Sequence, residues 1–190
     1  MDTIIEKTIG YAEDLFRGNS GGHGFDHTMR VYRNAMKIAE TEPTADQRIV
    51  ALAALLHDAD DHKLFQTEDN ANARKILAEC GVPVEKIEAV CSAVNAVSFS
   101  KNRDKRPDTL EACIVQDADR LDAIGAVGIA RTFAYGGEHG RSMDDSVKHF
   151  HEKLLLLKDL MNTESAKKLA EKRHRFLEEF LRELEEEEGK

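Results

Sequence analysis

The sequence predicts an all-α fold, and three observations carry that prediction. Trp is absent, Pro numbers only three and the strand-forming aromatics are few. Apolar side chains return every three or four positions in one segment after another, the spacing of a helix face. The breaks between those segments hold helix-capping patterns and glycines. At 190 residues, 41% hydrophobic and 33% charged, the chain reads as one folded domain with a real core rather than a disordered one. The expected organisation is a single helical bundle over residues 1–190. Its core spans about 22–135, and C-terminal helices over 144–187 pack on it.

In chain order, Ile5, Ile9, Ala12 and Phe16 share one face of a first helix over Asp2–Arg17, which stops at the glycine-containing run 18–22. Asp26 is placed to cap a second helix, running through Ala35 and Ile38 to about Glu40. His23 and His27 therefore sit at or just before a helix start, beneath a glycine-rich loop. Thr41-Glu42-Pro43-Thr44 is a break, and Thr44 with Gln47 makes a capping-box pattern for the next helix.

That third helix is the sequence's main oddity. Residues from Ile49 to Leu56 are all apolar, as in a buried helix, and then His57, Asp58, Asp60, Asp61 and His62 follow almost at once. Burying an imidazole and a run of carboxylates is unfavourable by several kcal/mol unless they are paired or bound to a cation. A metal ion would resolve the conflict.

Beyond it, a helix is expected from about Glu68 to Cys80, closed by Gly81 with Pro83 just after. Ile87, Val90, Val94 and Val97 recur at helical spacing, although their β-branching also suits a strand. The run 98–107 is a basic loop. Asp108 and Glu111 form another capping-box pattern opening a long apolar segment, Leu110–Tyr135, that contains Gly125 and Gly128 and ends at Gly136-Gly137. A helix over Asp145–Leu160, a cap at Thr163 and a charged amphipathic helix complete the chain. Its acidic end, Glu185 to Glu188, reads as a solvated face.

The formal net charge of −9 argues against general nucleic-acid or membrane-surface binding. No run reaches transmembrane length, and the first residues lack the basic lead and long apolar core of a signal peptide. Cys80, Cys91 and Cys113 are scattered, without CxxC, and read as reduced thiols of a cytoplasmic protein.

Candidate metal ligands are His27, His57, Asp58 and one of Asp117, Asp119 and Asp122. Two nitrogens and two oxygens suit Mn, Fe, Co, Ni or Zn better than Mg alone, and leave coordination positions open. Asp117 and Asp119, two apart, point to nearly opposite sides of a helix, so only one can face the ion; Asp122 shares the face of Asp119.

The order His27, then His57-Asp58, then Asp119 within Ala118-Asp119-Arg120-Leu121 resembles the HD superfamily of metal-dependent phosphohydrolases, in particular its small bacterial HD-domain hydrolases. The opening His23-x-x-Asp26-His27-x-x-x-Val31, the Ser98-Phe99-Ser100 stretch and the run Val115–Ala123 are similar as well. The resemblance covers roughly Gly22 to Phe180. It implies an all-α HD domain, a divalent ion and hydrolysis of a phosphate ester of a nucleotide or small phosphorylated metabolite. It also implies His27, His57, Asp58 and Asp119 as ligands, with Asp117 as the alternative fourth. Asp58 and Asp61 are the implied catalytic residues. Asp61 would handle a proton at the attacking water or leaving group, and an ordinary surface Asp is the competing reading. Asp60 and His62 are weaker candidates for orienting the ligands. His23, Arg30, Lys101 and Arg120 are candidate substrate contacts, with Arg103 a further cation for phosphate.

One departure stands out. The subgroup commonly has a His before Ser-Phe-Ser, and here Val97 holds that place, which favours one ion per site. The rival readings are a non-catalytic nucleotide- or metal-binding regulatory module, and a purely structural His57. Substrate identity and oligomeric state are left open by the sequence.

Overall fold

In the computed structural model, every residue is described except 1, 20–23, 63, 103, 104 and 190, and of Ser100 and Lys101 only the backbone is described. The architecture is all-α, with no strand among the described residues. Helix α1 spans Thr3–Leu15, α2 Phe25–Ala39, α3 Gln47–Leu56, α4 Ala71–Glu79 and α5 Val84–Asn95. A single turn, α6 (Phe99–Asn102), leads to α7 (Leu110–Asp122), α8 (Gly125–Glu138) and α9 (Met143–Glu152). A 3-10 stretch, Leu154–Leu160, joins α9 to the long α10, Glu164–Glu188.

The molecule is built around α3. Every side chain from Val50 to Leu56 is buried, because α1, α2, α5 and α7 all pack against it. An apolar run with no polar face needs such all-round cover. Val31, Ala35 and Ile38 of α2, Val90 and Val94 of α5, and Ile114, Val115, Ala118 and Leu121 of α7 join it in one core. Helix α10 covers the opposite side of α7 and α8.

Several boundaries differ from those expected. The cap of α3 is Asp46, whose Oδ1 accepts from the backbone N–H groups of Arg48 and Ile49, not the Thr44–Gln47 box. Asp26 lies in the first turn of α2, and Gly24 takes the cap position. A side chain at Gly24 would put its Cβ 2.5 Å from the Asn19 carbonyl oxygen. Helix α4 starts later than Glu68, since Asp69 and Asn70 hold left-handed φ angles of 52° and 54°. Thr109 caps α7 in place of Asp108, accepting from Ala112 N–H. The segment Leu110–Tyr135 is two helices, not one: the chain turns at Ala123–Ile124, and Gly125 adopts φ +77° where Cβ would meet the Arg173 side chain at 3.0 Å. Gly136 and Gly137 lie inside α8, which runs on to Glu138. The helix expected over Asp145–Leu160 breaks at Lys153 into α9 and the 3-10 stretch.

Candidate metal centre

Three arms meet where α2 begins, α3 ends and α7 enters its last turn. His27 lies in the first turn of α2 and is buried. His57 is the C-terminal cap of α3, and Asp119 sits on the face of α7 turned toward both. One ligand atom from each of His27, His57 and Asp119 lies within 4.8 Å of the others. The two imidazoles meet edge to face, with Nε2 atoms 3.1 Å apart. Asp58 Oδ2 is 3.3 Å from His57 Nε2 and 3.5 Å from His27 Nε2. Asp119 Oδ1 is 3.4 Å from His27 Nε2.

The outer nitrogens explain why the inner ones face each other. His57 Nδ1 is 2.8 Å from the Ala54 carbonyl, an acceptor, so that nitrogen carries the proton. His27 Nδ1 is 2.7 Å from Asp122 Oδ2, an ionised acceptor, and must donate as well. Both rings therefore present Nε2 inward. Two imidazole lone pairs at 3.1 Å, flanked by carboxylates, require an electropositive occupant between them, a proton or a cation. The donor set fits a divalent ion: imidazole nitrogen and carboxylate oxygen, with each imidazole anchored by its second nitrogen.

The electrostatics agree. Burial alone lowers the pKa of His27, but hydrogen bonds to Asp119, Asp122 and Asp58 outweigh it and raise the value to about 10. His57 is also raised, the neighbouring Asp58 charge overcoming burial. Burial pushes Asp119 up, and the His27 contact more than reverses this. Asp122 is likewise held low against burial, by His27 and Arg30.

The remaining expected site residues divide. Asp61 lines the cavity in front of the imidazoles together with Asp58, Asp119 and His62. It reaches that place by a turn, with its N–H donating to the Asp58 carbonyl at 3.1 Å, rather than by a continued helix. Asp60 also lines the cavity, but its two oxygens are committed elsewhere: they accept from Asn72 and Ala73 N–H at 3.0 and 3.1 Å, so it caps α4. Asp117 faces the other side of α7. It accepts from the N–H groups of Asn162 and Thr163, the Asn162 carboxamide and the Thr163 hydroxyl, and ties down the start of α10.

Two expected substrate contacts are engaged by groups of the protein itself. Arg120 is buried, and its guanidinium donates to the Leu160 and Asn102 carbonyls. It joins α7 to the 3-10 stretch and α6. Arg30 forms a fork on Asp122, with Nε at 2.7 Å and Nη2 at 3.2 Å. Arg131 donates to the same carboxylate. His23, Arg103 and the Lys101 side chain lie outside the described residues.

Sequence reasoning weighed Asp122 only as an alternative metal ligand and gave Arg131, Lys153 and Asn70 no role. Asp122 had a signal in its i+3 spacing from Asp119. Lys153 lines the cavity opposite α3, its Nζ 4.6 Å above the Phe99 ring.

Residues 24–124 match the HD domain family, and the chain belongs to it. The chain is 40% identical over 188 residues to the Bacillus subtilis protein YpgQ, covering 95% of this chain and 91% of that one. A crystal structure of YpgQ in complex with ADP superposes with a TM-score of 0.83 at 36% identity, over 96% of this chain and 97% of that one. An HD-superfamily hydrolase from Bacillus thuringiensis gives a TM-score of 0.79 at 41% identity, over 97% and 96% of the two chains. Among the described residues no helix is long and apolar enough to cross a membrane.

Proposed function

We propose that this chain is a metal-dependent phosphohydrolase, acting on a phosphate ester of a nucleotide or a related small phosphorylated metabolite. The observation that carries the reading is the inward-facing Nε2 pair of His27 and His57, 3.1 Å apart and flanked by Asp58 and Asp119, at one end of an open cavity. The ADP bound to YpgQ supports the nucleotide class.

His27, His57, Asp58 and Asp119 would hold one divalent ion, with Mn, Fe, Co, Ni, Zn and Mg as the candidates. When bound, such an ion supplies Lewis-acid chemistry, polarising a phosphoryl oxygen and making water a stronger acid. The chain's own groups do the rest. Asp122 fixes the His27 ring and its tautomer. Asp61 accepts the proton of the attacking water as the new P–O bond forms, and the ester P–O bond breaks toward the leaving oxygen, which takes that proton from Asp61 and returns Asp61 to the carboxylate form. Lys153 offsets charge on the phosphoryl oxygens from the far wall.

The test is metal analysis combined with initial rates on a panel of phosphomonoesters and phosphodiesters, supplied with Mn, Co, Ni and Mg. His57→Ala and Asp58→Ala should lose bound metal and at least about 100-fold in turnover. Full metal and full turnover in both variants would refute the site. A regulatory module that only binds would show nucleotides raising Tm without being consumed.

A further inference from the structure

Helix α4 begins in a strained way, and the strain points at the cavity. Asp69 and Asn70 are consecutive non-glycine residues with φ of 52° and 54°. Asn and Asp tolerate this region best, yet two in a row persist only where the surroundings over-determine them. Arg74 provides that hold. Its backbone N–H donates to the Asn70 carbonyl at 2.8 Å, its Nε donates to the Asp69 carbonyl at 2.8 Å, and its guanidinium is anchored on Glu88 of α5.

Asn70 occupies the N-cap of α4, where an Asn side chain ordinarily accepts from the first-turn N–H groups. It does not do so here. Asp60 has taken those N–H groups, which leaves the Asn70 carboxamide without a hydrogen-bond partner among the described residues. The residue is nonetheless only 8% exposed. It lines the same cavity as His57, Asp58, Asp61 and Asp119. The carboxamide is not among the fully occluded polar groups that lack a partner, so its nitrogen and oxygen keep contact with solvent, and on this wall that solvent fills the ligand cavity; a phosphoryl oxygen can take the place of that water.

We propose that Asn70 is a substrate-binding residue whose Nδ2 donates to an oxygen of the phosphorylated substrate. A neutral donor suits this wall. Four carboxylates, those of Asp58, Asp60, Asp61 and Asp119, already line the cavity, and one more would repel a phosphate. The inference rests on the phosphohydrolase reading.

Asn70→Gly is the main probe, because glycine adopts the left-handed turn without strain and keeps the backbone of α4 in place. Asn70→Asp is nearly isosteric and tolerates the same φ, but it exchanges a donor for a negative charge. The readouts are metal content, Tm, initial rates on p-nitrophenyl phosphate and the nucleoside mono-, di- and triphosphates with Mn, and ADP affinity by calorimetry. Asn70→Gly should keep wild-type metal and an equal or higher Tm. Its KM and ADP Kd should rise about tenfold, with kcat changed less than about threefold. Asn70→Asp should raise KM by roughly a further tenfold. A wild-type KM and Kd in Asn70→Gly overturns this inference alone. A wild-type protein that neither binds nor hydrolyses any of these compounds overturns the phosphohydrolase reading, and this inference with it.

Discussion

At the scale of single residues, the proton on His27 is the group most sensitive to its surroundings. Asp122 orients the ring from behind at 2.7 Å, while Asp58 and Asp119 stand in front of Nε2. In metal-free protein these carboxylates, opposing burial, raise its pKa from 6.5 to about 10. A histidine whose folded pKa is raised contributes stability that is fully present below the unfolded value. That stability is lost as pH climbs from about 6.5 through about 10. Metal-free wild type should therefore exceed metal-free His27→Gln in urea-unfolding free energy by an amount that shrinks across this window, by a few kcal/mol in all. A gap that stays level or widens from pH 6 to pH 10 would show that no such proton is held. The reason Asp122 was hard to assign from sequence lies at this scale too. Its partners His27 and Arg30 are 95 and 92 positions away, and only the fold brings those charges to it.

At the scale of elements, α7 does two unrelated jobs with two aspartates two positions apart. Helical geometry sends Asp119 toward the imidazoles and Asp117 toward the start of α10. Asp117→Asn should cost about 1–3 kcal/mol of stability, since an amide can replace only one of the two accepting oxygens, and should leave metal content at the wild-type level. Asp119→Asn should lose at least about tenfold in metal affinity, and in metal-free protein its stability loss should be the share of the His27 linkage that Asp119 supplies, present near neutral pH and gone above about pH 10. Denaturant unfolding and metal titration on both variants decide the assignment. An Asp117→Asn protein that is fully stable yet metal-poor would exchange the two roles. The face rule was readable in the sequence, as were the buried character of α3 and its arrival at His57-Asp58. Less readable were places where a side chain from elsewhere replaces the local signal. Asp60 caps α4 from the end of α3, and Gly136 and Gly137 continue α8 where glycines usually stop a helix. In each case tertiary contacts override a weak local preference.

At the scale of the whole molecule, the cavity lies between α3 on one side and the α6 and Lys153 wall on the other. That wall is held by buried Arg120, which spans from α7 to Leu160 and Asn102, so an arginine resembling a phosphate ligand in sequence serves as a brace. Lys153 is then the described cation that lines the cavity, on a chain whose formal net charge is −9. An anionic nucleotide approaching this protein meets long-range repulsion before it meets local attraction. Raising ionic strength from about 0.01 M to 0.15 M shortens the screening length from about 30 Å to about 8 Å. This removes the repulsion while leaving contact-distance attraction largely in place. With free metal held constant, kcat/KM for a nucleotide should therefore rise several-fold over that range. Lys153→Met should lower kcat/KM by about tenfold at each salt concentration while keeping the upward slope, because the slope belongs to the whole surface and the offset to one contact. A steep fall in kcat/KM with salt in the wild type would mean that positive potential at the entrance, and not the net charge, governs how substrate arrives.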